Sequence, residues 1–159
     1  MIRAPRHIGR CAQRGSVLLE AFIAIVLFSI GILALVGAQA AALKHTAASK
    51  HRVEAAYLAN QIIAQMWADN PANLASYAHN TTTAGVCNFG GGASANANVS
   101  AWIGSTSTYG TVAGNLPGAT GARQQITVGA NNVVTVTLCW QTPSDPAPHS
   151  YVGMAQING

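Results

Sequence analysis

Charge is scarce in this chain. Asp, Glu, Lys and Arg together make up 8% of its 159 residues, whereas half of the residues are hydrophobic, a balance unusual for a soluble protein. Only four residues are acidic, none precedes Glu20, and Glu20, Glu54, Asp69 and Asp145 are scattered along the chain. No nucleophile–base pair is recognisable, so no catalytic residue is assigned. His45, His51, His79 and His149 show no metal-ligand spacing with one another or with a cysteine; they read as surface or helix-face histidines, and no metal or cofactor is expected. The glycines of "FGGGAS" are followed by no lysine and lack a strand–turn–helix context, which leaves a loop and not a phosphate cradle. Asn80-Thr81-Thr82 matches a glycosylation acceptor triplet, a pattern common by chance. The length allows one domain and one appended element.

The residues that are present are unevenly distributed. Arg3, Arg6, Arg10 and Arg14 are half of the eight Lys and Arg residues. Without residues 1–15, Lys44, Lys50, Arg52 and Arg123 balance the four acids and the net charge is zero. The basic pI of about 9.3 therefore describes a leader, not a nucleic-acid-binding surface. From Ala21 to Ala38 there is no charge, and Ser29 is the only polar side chain. These 18 residues reach the lower edge of a membrane span, and Val17, Leu18 and Leu19 extend it if Glu20 is tolerated. Positive charge before an apolar run orients it with the N-terminal flank in the cytoplasm. Cys87 and Cys139 then fall in the exported part, where a pair reads as one disulfide, the alternative being two separately buried thiols. For the loop of 51 residues between them, chain entropy gives about 4 kcal/mol.

Residues 16–70 support a helix almost without interruption, about 80 Å long at 1.5 Å per residue. Residues 16–42 are apolar all round. Residues 43–70 are amphipathic, with Ala55, Leu58, Ala59, Ile62, Ile63 and Met66 at helical spacing. Only this second half has a face suited to a globular domain, so the first half is expected to protrude into lipid or partner helices. Asn70-Pro71 is a stop. Residues 72–98 read mainly as loop. Val99, Trp102, Ile103, Tyr109, Val112 and Leu116 fit one face of a further helix, capped by Ser100 or Asn98. Gln124–Val128 and Val133–Trp140 read as a hairpin joined by "GANN", and Tyr151–Ile157 as a third strand. Alternation sets Val134, Val136, Leu138 and Trp140 on one face, with Thr135, Thr137 and Cys139 on the other. Trp102 and Trp140 read as core. The expected fold is α+β, a long N-terminal helix packed on a small antiparallel sheet, with residues 71–159 forming an α/β globular domain.

One junction stands out. A secretory signal peptide is cut after its apolar run; here a Gly-Ser step precedes it. Cleavage between Gly15 and Ser16 would remove the leader, keep the helix and leave an amino group at Ser16, one turn from Glu20. The basic leader, Gly15, Glu20 as fifth mature residue and the unbroken apolar run together resemble the type III signal of type IV pilins and pseudopilins. "GSVLLEAFIAIVLFSIGILALVGAQAAAL" and the terminal "LCWQ…YVGMAQI" look like PilV-type minor pilins, whereas residues 72–122 contribute little.

The resemblance implies a pilin-like fold and no enzymatic activity. Prepilin peptidase would cut after Gly15 and methylate the Ser16 nitrogen, and Glu20 would engage the charged N-terminus of a neighbouring subunit. A self-pair of Glu20 with its own Ser16 amine is the alternative. Val17, Leu18, Leu19, Phe22, Ile23, Ile25, Val26, Leu27, Phe28, Ile30, Ile32, Leu33, Leu35 and Val36 would line the membrane and then the filament core. The implied partners are other pilin subunits, prepilin peptidase, the pilus assembly machinery and the inner membrane, with no nucleic acid or small-molecule ligand. The C-terminal domain would be periplasmic, then at the cell surface. Ser16 stands where major pilins carry phenylalanine, and Gly31 and Gly37 occur in place of a mid-helix proline; both departures favour a minor subunit. A minor pseudopilin of a type II secretion system shares the same signal. A single-pass anchored binding protein or enzyme needs neither the glycine nor the glutamate.

Overall fold

The computed structural model describes residues 14–157. Helix α1, Arg14–Ala68, has no proline along its length. Its few hydroxyls stay within the helix: Ser29 Oγ donates to the Ile25 carbonyl at 2.8 Å, and Thr46 Oγ1 to that of Ala42 at 3.0 Å. The chain divides into two units, Met1–Thr46 and Ala47–Gly159.

In the second unit α1 ends where its side chains begin to bond the backbone. Asp69 Oδ1 accepts from the Asn70 N–H at 2.7 Å, Asn70 Oδ1 accepts from the Ala72 N–H at 3.0 Å, and Pro71 opens a 3-10 turn, Pro71–Tyr77. Strands β1, Thr82–Gly85, and β2, Asn88–Gly90, form a two-stranded hairpin turned by Cys87 at φ 55°. Two short helices follow, α2, Ala97–Ile103, and α3, Val112–Asn115. Strands β3, Gln125–Val128, β4, Val133–Trp140, and β5, His149–Gln156, form an antiparallel sheet in the order β3-β4-β5. Its register runs from Ile126 opposite Val136 to Val136 opposite Gly153. The fold is α+β, with a long N-terminal helix and small antiparallel sheets.

The core joins the stripe Ala55, Leu58, Ala59, Ile62, Ile63 and Met66 to Val134, Val136, Leu138 and Trp140, all buried. Burying one such aliphatic side chain contributes about 1.5–3 kcal/mol. Trp102 closes one side, its Nε1–H donating to the Leu58 carbonyl at 2.9 Å. On the β5 side the helix approaches a glycine: a Cβ on Gly153 would lie 3.3 Å from Ala59 Cβ, so a larger residue there pushes helix and strand apart. Between Asp69 and Arg123 the chain carries no Asp, Glu, Lys or Arg, and within this stretch the contacts are amides, hydroxyls, one imidazole and apolar side chains.

Several expectations are corrected. The single helix through Val99–Leu116 is two helices. Gly104 at φ 60° ends α2, and a turn through Ser105–Thr111 separates it from α3, carrying Tyr109 out to 94% exposure while Val99, Trp102, Val112 and Leu116 stay buried. The cap of α2 is Asn96, whose Oδ1 accepts from the Asn98 N–H at 2.8 Å, not Asn98 or Ser100. Residues 72–98 are more than loop, since they hold the 3-10 turn and the β1–β2 hairpin. The third strand starts at His149, because its pairing with β4 continues to Trp140.

Candidate functional site

The candidate site is the first part of α1. Residues 1–13, with Arg3, Arg6, Arg10 and Cys11 of the expected leader, lie outside the described residues. The Gly15–Ser16 bond lies in the first turn of α1 as described. From Val17 to Val36 every large apolar side chain is exposed, from 41% at Val26 to 76% at Leu18. That includes Leu19, Phe22, Ile23, Ile25, Leu27, Phe28, Ile30, Ile32, Leu33 and Leu35. Soluble surfaces rarely leave so much contiguous apolar area open; it calls for lipid or other protein. Helix α1 is long and apolar enough to cross a membrane, with mean hydropathy 2.7 in its most apolar window.

Glu20 is the one charged side chain in this run. It is exposed, and among the described side chains no hydrogen bond or ion pair reaches it. Four residues separate it from Ser16, so the two lie one turn apart on adjoining parts of the helix surface. In the uncut chain the Ser16 nitrogen is a neutral peptide N–H. Hydrolysis at Gly15–Ser16 would turn it into an amine, one turn from Glu20.

The second unit holds polar groups of another kind. Cys87 and Cys139 form a disulfide that ties the β1–β2 hairpin to β4. Cys139 is on the face opposite Val136 and Leu138, yet it is fully buried, because the hairpin covers it. Its backbone is met by a side chain. The Gln124 Oε1 accepts from the Cys139 N–H at 2.9 Å, and its Nε2 donates to the Cys139 carbonyl at 3.1 Å and to that of Thr120 at 3.0 Å. Strand β3 begins only at Gln125, so the Gln124 amide continues the ladder that the backbone has left. Gln125 Nε2 donates to the Asn80 carbonyl at 2.9 Å and to Thr83 Oγ1 at 3.1 Å.

His79 is no surface histidine: it is 3% exposed. The Ser94 N–H donates to its Nδ1 at 3.0 Å, which places the proton on Nε2, and Nε2 donates to the Gly121 carbonyl at 2.8 Å. Asn80 Nδ2, the atom a glycan would be attached to, is buried and donates to the carbonyls of Gly121 and Gln124. Asn80-Thr81-Thr82 is thus a structural corner. Near Trp140, His149 stacks on the indole with centroids 5.8 Å apart, and its Nε2 is 3.3 Å from Asp145 Oδ2. The Thr142 hydroxyl and N–H donate to the same carboxylate and hold its pKa below the usual value, with His149 assisting. Among the described residues no cluster of three or more His, Cys, Asp or Glu side chains could hold a metal.

Comparison with known proteins finds no matching family model, no matching curated protein and no matching solved structure. The buried roles of His79, Gln124 and Gln125 had no local sequence signal, since their partners lie up to 45 residues away.

Proposed function

We propose that this chain is a minor subunit of a type IV pilus, a structural and assembly component of the PilV type without enzymatic activity. A single observation carries the reading: one carboxylate, Glu20, sits in an otherwise apolar, exposed helix, five residues after a glycine that ends a basic leader. An ionised carboxylate in hydrocarbon is costly unless a cation meets it. In this proposal the chain enters the bacterial inner membrane with its N-terminus in the cytoplasm and its C-terminal domain in the periplasm. Prepilin peptidase cuts after Gly15 and the Ser16 nitrogen is methylated. Glu20 then pairs with the amino group of a neighbouring pilin as the assembly machinery draws the helix into the filament, in support of pilus biogenesis, twitching motility or adhesion.

Mass spectrometry of the protein from cells with active prepilin peptidase tests this directly. A mature chain starting at methylated Ser16 is expected, and a chain retaining residues 1–15 overturns the reading. Co-purification with the pilus machinery separates the competitors. Glu20→Ala is expected to lose it, whereas an anchored enzyme or binding protein keeps its location and activity. Loss of exoprotein secretion in place of surface pili on gene deletion would assign the chain to a type II secretion pseudopilin.

A further inference from the structure

His79 is the one buried histidine among the described residues, and it joins three parts of the second unit. Its backbone pairs with β3: the His79 N–H donates to the Ile126 carbonyl and the Ile126 N–H donates back, each at 2.9 Å. Its ring meets two more backbone groups, the Ser94 N–H at Nδ1 and the Gly121 carbonyl at Nε2. Both partners have fixed polarity. A peptide N–H can only donate and a carbonyl can only accept, so the site fits the neutral ring with its proton on Nε2 and no other form. A second proton would sit on Nδ1 and point at the Ser94 N–H, donor against donor.

A cation on this ring would also lack a counter-charge. The ring lies among the 3-10 turn Pro71–Tyr77, the β1–β2 hairpin, residues 91–96, the turn Gly121–Arg123 and β3. None of these carries a carboxylate. Their titratable groups are Tyr77, whose hydroxyl donates to Asp69 Oδ2 at 2.8 Å, and Arg123, whose Nη1 donates to Gln141 Oε1 at 3.3 Å. Cys87 is bound in the disulfide. A buried charge without a partner is costly, so the fold admits it only by opening.

The segment that Ser94 belongs to is built to let go. Gly91 and Gly92 precede it at φ 103° and 94°, where side chains other than hydrogen are rarely accommodated. Residues 91–93 and 95 are exposed. The other ties of the segment are the Asn80 N–H to the Gly92 carbonyl at 2.9 Å, Ser94 Oγ to the Ser76 carbonyl at 2.7 Å, and Asn96 Nδ2 to Ser76 Oγ at 2.7 Å. The last two are at the surface, where water replaces them at little cost. Of these ties, the bond to the imidazole is the one anchored on a buried side chain. The glycines of "FGGGAS" find their use here, as a hinge.

We infer that His79 is an acid-operated latch. Uptake of one proton from solvent at Nδ1 breaks the bond from the Ser94 N–H, and residues 91–96 swing off the ring on the two glycines. No covalent bond of the chain changes. At neutral pH the uncharged ring holds the segment down. As pH falls, only the open form takes the proton, because the closed form has no place for it. An imidazole in water titrates at about pH 6.5. Below that, the ratio of open to closed segment rises about tenfold per pH unit, the signature of one proton. Every residue involved lies in the second unit, and the inference does not rest on the pilus reading.

The test uses the full-length chain in detergent micelles. Amide hydrogen exchange of residues 91–96 is followed from about pH 8 to about pH 4.5 and corrected for the intrinsic rate at each pH. The expected result is constant opening above about pH 7 and a rise of about tenfold per unit below about pH 6. The amides of β4, which is paired on both sides, should stay protected throughout. His79→Gln has no proton to take up and is expected to open equally at every pH. Should that variant fail to fold, nitrogen-15 NMR of the wild-type histidine rings decides: protonation of the His79 ring and loss of protection at residues 91–96 must share one midpoint. Protection that stays constant down to about pH 4.5 overturns the inference. So does a His79 ring that gains its second proton while those amides remain protected, or a pH dependence that survives His79→Gln. Loss of protection in β4 over the same range also overturns it, since the event would then be global unfolding.

Discussion

Helix α1 is apolar in both units, but its apolar residues meet different fates. In the first unit Leu33 is 71% exposed and Phe28 70%, and the apolar side chains go all the way round. In the second, Leu58 and Ile62 are fully buried and Arg52, Asn60 and Ala64 face solvent. The same residue types therefore do two jobs. In one they complete a fold within the chain; in the other they need a medium or partner that the chain does not supply. Hydrophobicity alone does not separate these cases, whereas its angular distribution does.

The sharpest way to break this comparison is to reduce the Cys87–Cys139 bond. The second unit is expected to lose about 4 kcal/mol, read by denaturant titration of the full chain in detergent with and without reductant. The helical signal of the first unit should not follow it. Next comes a paired truncation. Ile62→Ala removes a fully buried side chain and should cost about 3 kcal/mol in the same titration, whereas Leu33→Ala should leave the second unit unchanged. An equal effect of the two would erase the distinction between the units. Gln124→Leu is expected to cost about 1–3 kcal/mol, because it strands the buried N–H and C=O of Cys139.

The smallest expected effect is on pH. Asp69 is held below the ordinary carboxylate pKa by the Asn73 amide, the Tyr77 hydroxyl and the Asn70 N–H, and Asp145 by Thr142. A lowered folded-state pKa stabilises above the unfolded value of about 3.9, and that contribution is lost as pH falls through the folded values. Tyr77 acts at the other end. Burial raises its pKa, so its contribution is complete below the unfolded value near 10 and is lost as pH rises through the folded one. Thermal melts of the second unit should therefore fall off below about pH 4 and above about pH 10. Asp69→Asn should flatten the acid limb.

What was legible in the sequence was local and periodic. The stripe from Ala55 to Met66 and the alternation of Val134, Val136 and Leu138 each repeat at the spacing of one element, and the structure buries both sets. The Val99–Leu116 stretch misled because its apolar spacing fits one helix as well as two short ones. Gly104, with its positive φ, decided for two. His79 and Gln124 were illegible for another reason: a buried amide or imidazole is justified only by its partners, and here all but the Thr120 carbonyl are brought together by the fold from 15 to 42 residues away. At the candidate site, Gly15, Ser16 and Glu20 stand out through a resemblance, carried by the basic leader, the glycine, the position of the glutamate and the apolar run together. The structure adds that Glu20 is exposed among apolar side chains, and that no ion pair reaches it among the described side chains.

The stretch between Asp69 and Arg123 has a further consequence. Salt acts on a protein largely by screening charge over about 8–10 Å at physiological ionic strength. Fifty-three consecutive residues here carry no Asp, Glu, Lys or Arg, and apart from the Asp69 carboxylate that Asn70, Asn73 and Tyr77 bond at one end, their polar contacts are to neutral amides, hydroxyls and the ring nitrogens of His79. With so little to screen, this half of the C-terminal domain is suited to hold the same form in fresh water and in brine.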